Sequence, residues 1–206
     1  LDLHPGGRRM SDTIHLPPSQ FGVSSNDMRL LPLALLSALV LPAQAADWPQ
    51  YLGQNGDAIS SEKINGNWKS KPPRTLWKAT VGKGCGSWSI VKDKAFVAGN
   101  DGKKDTVWCL NADTGKPIWR HQYPERLSAN LYEGGPNTTP TIDGSRVFTL
   151  SKSGVLFCLN IADGRPLWRK HLKNDFRGKG GSWGFSASPV VDGDLLYVLP
   201  CSKNGG

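Results

Sequence analysis

Trp119 and Trp168 stand 49 residues apart, and the chain around them repeats at that spacing. Residues 107–120 lie over residues 156–169 without a gap. Cys, Leu, Asn, Gly, Pro, Trp and Arg coincide at seven of the fourteen positions, and Lys116/Arg165 and Ile118/Leu167 are conservative pairs. The same offset carries Pro140-Thr141-Ile142-Asp143-Gly144 onto Pro189-Val190-Val191-Asp192-Gly193, and Phe148 onto Tyr197. An offset that holds in two separate segments marks a repeat architecture, in which one unit cannot bury its apolar faces without a neighbour. A further partial copy, Arg74-Thr75-Leu76-Trp77-Lys78, puts Trp77 42 residues before Trp119.

Each unit reads as four short strands. In the best copy these run from Thr138 to Ile142, Arg146 to Ser151, Val155 to Asn160 and Pro166 to His171, with turns at Asp143-Gly144, Ser153-Gly154 and Asp163-Gly164. Short runs of β-branched and aromatic residues between turn signals are the all-β pattern. No helical periodicity is visible after residue 46. Four strands in about 40–50 residues make one blade of a β-propeller. The expected fold is therefore all-β, with about two to three blades of four antiparallel strands. Trp77, Trp119 and Trp168 are the expected docking rings between blades, and Gly115 and Gly164 the repeat turns. A Trp168 ring buried in this way makes Trp168→Ala cost about 3–5 kcal/mol.

The remainder of the chain is read around that repeat. Met28-Arg29 opens a basic, then apolar stretch through Val40, followed by Ala43-Gln44-Ala45. That is a signal-peptide pattern with cleavage between Ala45 and Ala46. Its apolar run is shorter than the roughly 20 residues of a membrane span. No Cys follows it, so a lipoprotein anchor is not supported. Residues 1–27 are read as an upstream extension without structure, 28–45 as the signal peptide, and 46–206 as a partial propeller domain in the periplasm or outside the cell. The formal charge is +8. It is unchanged by removing residues 1–45, which carry Arg8, Arg9 and Arg29 against Asp2, Asp12 and Asp27. Lys and Arg are scattered among turns, which reads as a solvated surface, and export disfavours nucleic acid as a partner.

The segment Asp113-Thr114-Gly115-Lys116-Pro117-Ile118-Trp119 resembles the Ala-x-Asp-x-x-Thr-Gly-x-x-x-Trp motif of quinoprotein alcohol dehydrogenases; the second copy has Asp163-Gly164 in place of Thr-Gly. The same blade type occurs in the propeller subunit of the outer-membrane barrel-assembly machinery and in secreted PQQ-binding-like repeat proteins. Asp47-Trp48-Pro49-Gln50-Tyr51-Leu52-Gly53 resembles the mature start of the last group. So do Gly135-Pro136-x-x-Thr139-Pro140 and Trp183-Gly184-Phe185-Ser186-Ala187-Ser188-Pro189. The resemblance covers residues 47 to 206. It implies a ring of seven or eight blades, of which this chain is part, and an N-terminal strand that completes the last blade, where Trp77 would sit. Its enzymes hold PQQ over calcium, with an Asp base and often a disulfide between adjacent Cys.

Cys85, Cys109, Cys158 and Cys201 include no adjacent pair and no C-x-x-C. Cys109 and Cys158 share a repeat position, and equivalent positions of adjacent blades are too far apart for a disulfide, so both read as buried thiols. Asp93, Asp113, Asp143, Asp163 and Asp192 occupy turns, where carboxylates cap their own backbone. Asn100-Asp101-Gly102 is a plain turn, and His121 and His171 read as solvent-exposed, not as metal ligands. Ser87-Trp88-Ser89 and Ser182-Trp183-Gly184 precede first strands, where the rings either pack between blades or stack on a ligand. The reading is an exported, non-catalytic propeller that binds protein or small ligand on one face. No cofactor or metal is supported by these residues. The alternative is a PQQ-dependent alcohol dehydrogenase, with PQQ and calcium, whose catalytic residues lie in other blades.

Overall fold

Successive hairpins fold the repeat onto itself in one register. A computed structural model describes residues 46–129 and 132–199. The proposed extension, the signal peptide with Ala45, and Cys201 lie outside the described residues. The first blade is an antiparallel sheet of β1 (Ser89–Val91), β2 (Lys94–Asn100), β3 (Lys104–Asn111) and β4 (Pro117–Pro124), in that order. The second repeats it with β5 (Thr141–Asp143), β6 (Arg146–Leu150), β7 (Val155–Asn160) and β8 (Pro166–His171). A single-turn helix, α1 (Leu172–Phe176), follows, and then a hairpin of β9 (Val190–Asp192) and β10 (Leu195–Tyr197). These are β-propeller blades, all but α1 built from strands.

The repeat is exact down to its irregularity. Cys109 pairs with Trp119 and Leu110 with Pro117, and likewise Cys158 pairs with Trp168 and Leu159 with Pro166. The skipped residues are Ile118 and Leu167, and both point into solvent. Each outer strand thus carries one bulge at the same place, which re-aims the Trp beside it.

One strand start and one short helix differ from the sequence reading. The first strand of the second blade starts at Thr141, not at Thr138. Pro140 has no N–H to give to a ladder, and Thr138 and Thr139 are engaged elsewhere: Thr138 Oγ1 donates to Leu150 O at 2.6 Å, and Thr139 N donates to Ser188 Oγ at 2.9 Å. Helix α1 was not visible in the sequence because one turn is too short to show a period. It is held by His171 N donating to Asp175 Oδ2 at 2.7 Å, and it ends at Arg177 in the left-handed region.

Burial follows the blade interfaces. The main core joins Phe96, Val107, Cys109, Trp119 and Tyr123 of the first blade to Ile142, Val147, Val155, Phe157 and Leu159 of the second. A smaller one joins Leu150, Leu156, Leu172 and Phe185, with Leu196 and Val198 packed against it. Fully burying side chains of this size is worth about 1.5–3 kcal/mol each, so most of the stabilisation is shared between blades.

Candidate functional site: blade contacts and the inner rim

Trp119, on the outer strand β4, and Trp77, which lies in no strand rather than on the one expected for it, meet the following repeat at one defined place. Trp119 Nε1 donates to Ile161 O at 2.8 Å, and Trp77 Nε1 donates to Ala112 O at 2.8 Å. Each indole lies against the glycine that ends the next turn. A Cβ on Gly164 would fall 2.4 Å from Trp119 Cε3, and one on Gly115 would fall 2.6 Å from Trp77 Cδ2. Both glycines have positive φ, 71° and 68°. Only glycine offers that backbone shape together with room for a ring. Trp168 differs. It packs on Phe148 at 6.0 Å between centroids, yet it remains 37% exposed, against 8% for Trp119. The ring expected to be buried at this third position is not covered by the described residues.

The inner strands are joined by hydroxyl groups. Ser87 N donates to Thr139 Oγ1 at 2.9 Å, and Thr139 N donates in turn to Ser188 Oγ at 2.9 Å. Ser89 Oγ donates to Pro140 O, and Thr141 Oγ1 donates to Pro189 O at 2.6 Å. One hydroxyl per blade therefore accepts from the blade before, and a second donates to the blade after. The sequence reading aligned Pro140 with Pro189 but passed over the hydroxyl before each proline, Thr139 and Ser188. That signal was present in the same offset.

This ladder fixes a rim where two clefts meet at Cys85, Asn137 and Ser186. The larger, about 570 Å³, is also lined by Tyr51, Thr139 and Leu199. The smaller, about 360 Å³, adds Tyr132 and Trp183. Trp183 is 43% exposed; its ring lies 5.9 Å from that of Tyr132, and its carbonyl accepts from Asn137 Nδ2 at 2.8 Å. Tyr132 is backed by the Lys152 ammonium, 4.5 Å from its ring centroid. Trp88 turns the other way and meets Trp77 edge-on at 6.0 Å. Of the two loop tryptophans, Trp88 is thus a packing residue and Trp183 a rim residue.

The rim's polar side chains are hydroxyls, the amides of Gln50 and Asn137, and the Cys85 thiol, with no carboxylate. Calcium takes six to eight oxygen ligands and generally draws on carboxylates. The rim residues do not fit a calcium-borne quinone. Among the described residues no three His, Cys, Asp or Glu side chains gather to hold a metal ion. Cys85, Cys109 and Cys158 are free thiols. Burial pushes the Cys109 thiol up to about 12 and raises Cys158, so neither is a reactive thiolate.

Two further readings are corrected. His121 and His171 are partly buried rather than solvent-exposed. His121 packs edge-on to Phe157 at 4.8 Å, and burial lowers its pKa. Neither His121 Nε2 nor His171 Nδ1 has a hydrogen-bond partner among the described residues. Asn100 does more than shape a turn. Its Oδ1 accepts from Gly102 N at 2.6 Å, while its Nδ2 donates to Asp105 Oδ1 at 2.7 Å and to Glu125 O at 3.0 Å. Tyr123 OH donates to Asp105 Oδ2 at 3.2 Å. Asp105 is 1% exposed, and burial raises its pKa to about 6.

Bulged four-stranded blades, joined by an indole on a glycine turn and by inner hydroxyls, define a repeat propeller of the PQQ-like type. Within that class, residues 103–205 match the family described as outer membrane protein assembly factor BamB, and the chain belongs to it. No curated protein matches the chain. Among solved structures, it is similar to the quinohemoprotein alcohol dehydrogenase from Comamonas testosteroni. The identity is 17% and the TM-score 0.55, over 76% of this chain and 23% of that one. A europium-containing methanol dehydrogenase gives 15% identity and a TM-score of 0.55, over 74% and 27%. BamB from Moraxella catarrhalis gives 23% identity and a TM-score of 0.38, over 54% and 32%. The chain thus spans a third or less of each, and the likeness to the two dehydrogenases shows the fold alone. No helix among the described residues is long and apolar enough to cross a membrane.

Proposed function

We propose that this chain is part of an exported, non-catalytic propeller that works in the periplasm or outside the cell as a protein-binding scaffold. The observation that carries the reading is membership, over residues 103–205, of a family described as an assembly factor. The rim supports it. Trp183 and Tyr132 are held from behind by Asn137 and Lys152, and such fixed aromatic rings at a cleft suit anchor contacts with a partner. The PQQ-dependent alternative places its catalytic residues in other blades.

The test takes the gene product, reconstituted with PQQ and Ca²⁺, and assays dye-linked alcohol oxidation. The expected result is no turnover. A photo-crosslinker at Trp183 is expected to give a discrete adduct with another envelope protein, and one at exposed Ile59 is not. Quinone-dependent turnover overturns the reading.

A further inference from the structure

The chain brings together cations that its sequence scatters. A third cleft, about 790 Å³, opens between the two complete blades and shares no lining residue with the rim clefts. Lys103 and Arg126 line it from the first blade, and Arg169 from the second. The first and last of these are 66 residues apart in sequence (169 − 103), so no local charge run announces them. All three are exposed.

What distinguishes the cleft is how its one carboxylate is used. Glu125 lines it too, yet Glu125 Oε2 accepts from Ser153 Oγ at 2.5 Å, and Ser153 Oγ is itself 3.1 Å from Ser151 Oγ. The backbone of Glu125 is tied as well: its N donates to Lys103 O at 3.1 Å, and its O accepts from Asn100 Nδ2. The ion pairs among the described residues are Lys94–Asp93, Arg146–Asp143 and Arg165–Asp163. All are close in sequence, and none includes a cleft cation. Three cations therefore face one cleft with a single, already engaged anion beside them. The Arg169 guanidinium is further fixed 5.9 Å over the Phe157 ring.

We infer that this inter-blade cleft binds an acidic, extended polypeptide segment of a partner protein. The inference deepens the scaffold reading and rests on it. Guanidinium groups match planar carboxylates through paired N–H donors, so Arg126 and Arg169 suit Asp or Glu side chains. Half-buried Leu127 lies in the cleft among the cations and gives an apolar surface for the residues between those acids. A strand alternates its side chains at about 3.3 Å per residue, which lets acids and apolar groups reach such a mixed lining in turn. A lipid surface would instead call for cations spread over a flat face.

The test is fluorescence anisotropy of the full chain with a short labelled peptide that alternates Glu with Leu and Ser. Binding is expected to weaken as salt rises. Lys103→Gln/Arg126→Gln/Arg169→Gln is expected to weaken it at least roughly tenfold. Lys63→Gln/Lys69→Gln/Lys71→Gln removes the same charge from an exposed segment elsewhere and is expected to change it less than about twofold. Glu125→Gln keeps the acceptor for Ser153, removes the local anion, and is expected to raise affinity about two- to threefold. Equal losses in both triple variants, or no effect of Glu125→Gln, would overturn the cleft. Displacement of the peptide by vesicles of anionic phospholipid at equal charge would overturn the choice of polypeptide. Any of these failures leaves the scaffold reading standing, because that reading is judged by quinone turnover and by crosslinking at Trp183.

Discussion

The two outer-strand tryptophans Trp119 and Trp168 sit on the same strand, beside the same bulge and opposite equivalent cysteines, yet they are in different surroundings. Trp119 is capped by the turn at Gly164 and donates to Ile161 O. Trp168 lies over Phe148 and lines an apolar groove with Leu156, Leu172, Phe176, Leu196 and Val198. Nothing in the blade that carries each ring accounts for the difference. Burial of the indole is supplied by the blade that follows, so the stability of the array is held in nearest-neighbour terms.

The largest expected effect breaks this comparison directly. Trp119→Ala removes a buried ring and its hydrogen bond and should cost about 3–5 kcal/mol, while Trp168→Ala should cost about 1–2 kcal/mol in this chain. Urea unfolding of the two variants measures the difference, and equal losses would mean that the glycine turn contributes nothing. That figure for Trp168 is lower than the one expected from the repeat alone, because the ring is partly open.

Next in size is the turn itself. At Gly164 a methyl group meets the indole of Trp119 and the backbone is left-handed; at Gly144 the backbone is left-handed but nothing lies within 4 Å. Gly164→Ala should cost about 2–4 kcal/mol and Gly144→Ala about 1 kcal/mol. Thermal melts of both would show whether the ring contact or the backbone angle dominates.

Much of this was legible in the sequence, for a physical reason. A repeat shows whatever every blade needs: strands β7 and β8, Gly164 and Trp168 recur 49 residues after β3, β4, Gly115 and Trp119. What one blade alone contains leaves no such trace. Asp105 falls where the second copy has no carboxylate, and its partners Asn100 and Tyr123 are brought to it only by hairpin pairing. Trp183 was visible as an aromatic in a loop, but its neighbours at the rim come from separate connectors. The inner hydroxyls recur and were still missed, because a threonine or serine before proline reads as an ordinary turn residue.

The buried Asp105 carboxyl gives a pH test within the first blade. Its pKa rises from 3.8 to about 6 on folding, chiefly by burial. The folded state therefore holds this proton more tightly than the unfolded chain does. Its contribution to stability is complete below pH 3.8 and is lost as pH rises through 6, a swing on the order of 1–3 kcal/mol. Asp105→Asn keeps an acceptor for Asn100 and carries no charge. Relative to the variant, the wild type should lose stability between pH 4 and pH 6.5, as read from urea midpoints across that range. Parallel profiles would show that the carboxyl is not desolvated in the folded protein. Asp93 and Asp101, whose pKa values are lowered by hydrogen bonds from Lys94 and from the backbone of Lys103, titrate alike in both proteins and cancel in the comparison.

The smallest effect returns to the difference between blades. The hairpins β5–β6 and β9–β10 turn through Gly144 and Gly193, with φ of 54° and 56°. Lys92 occupies the same place in β1–β2 with φ of 53°. A side chain there costs about 1–2 kcal/mol in backbone strain, while glycine would return part of the gain by loosening the unfolded chain. Lys92 N also donates to Asp47 Oδ1 at 2.7 Å, a bond that any residue can make and that ties the start of the described chain to the first blade. Lys92→Gly should therefore raise stability by about 0.5 kcal/mol and leave that bond in place. A shift in the urea midpoint without a change in slope would show it. A loss of stability would mean that the lysine side chain contributes contacts that outweigh the strain of its turn.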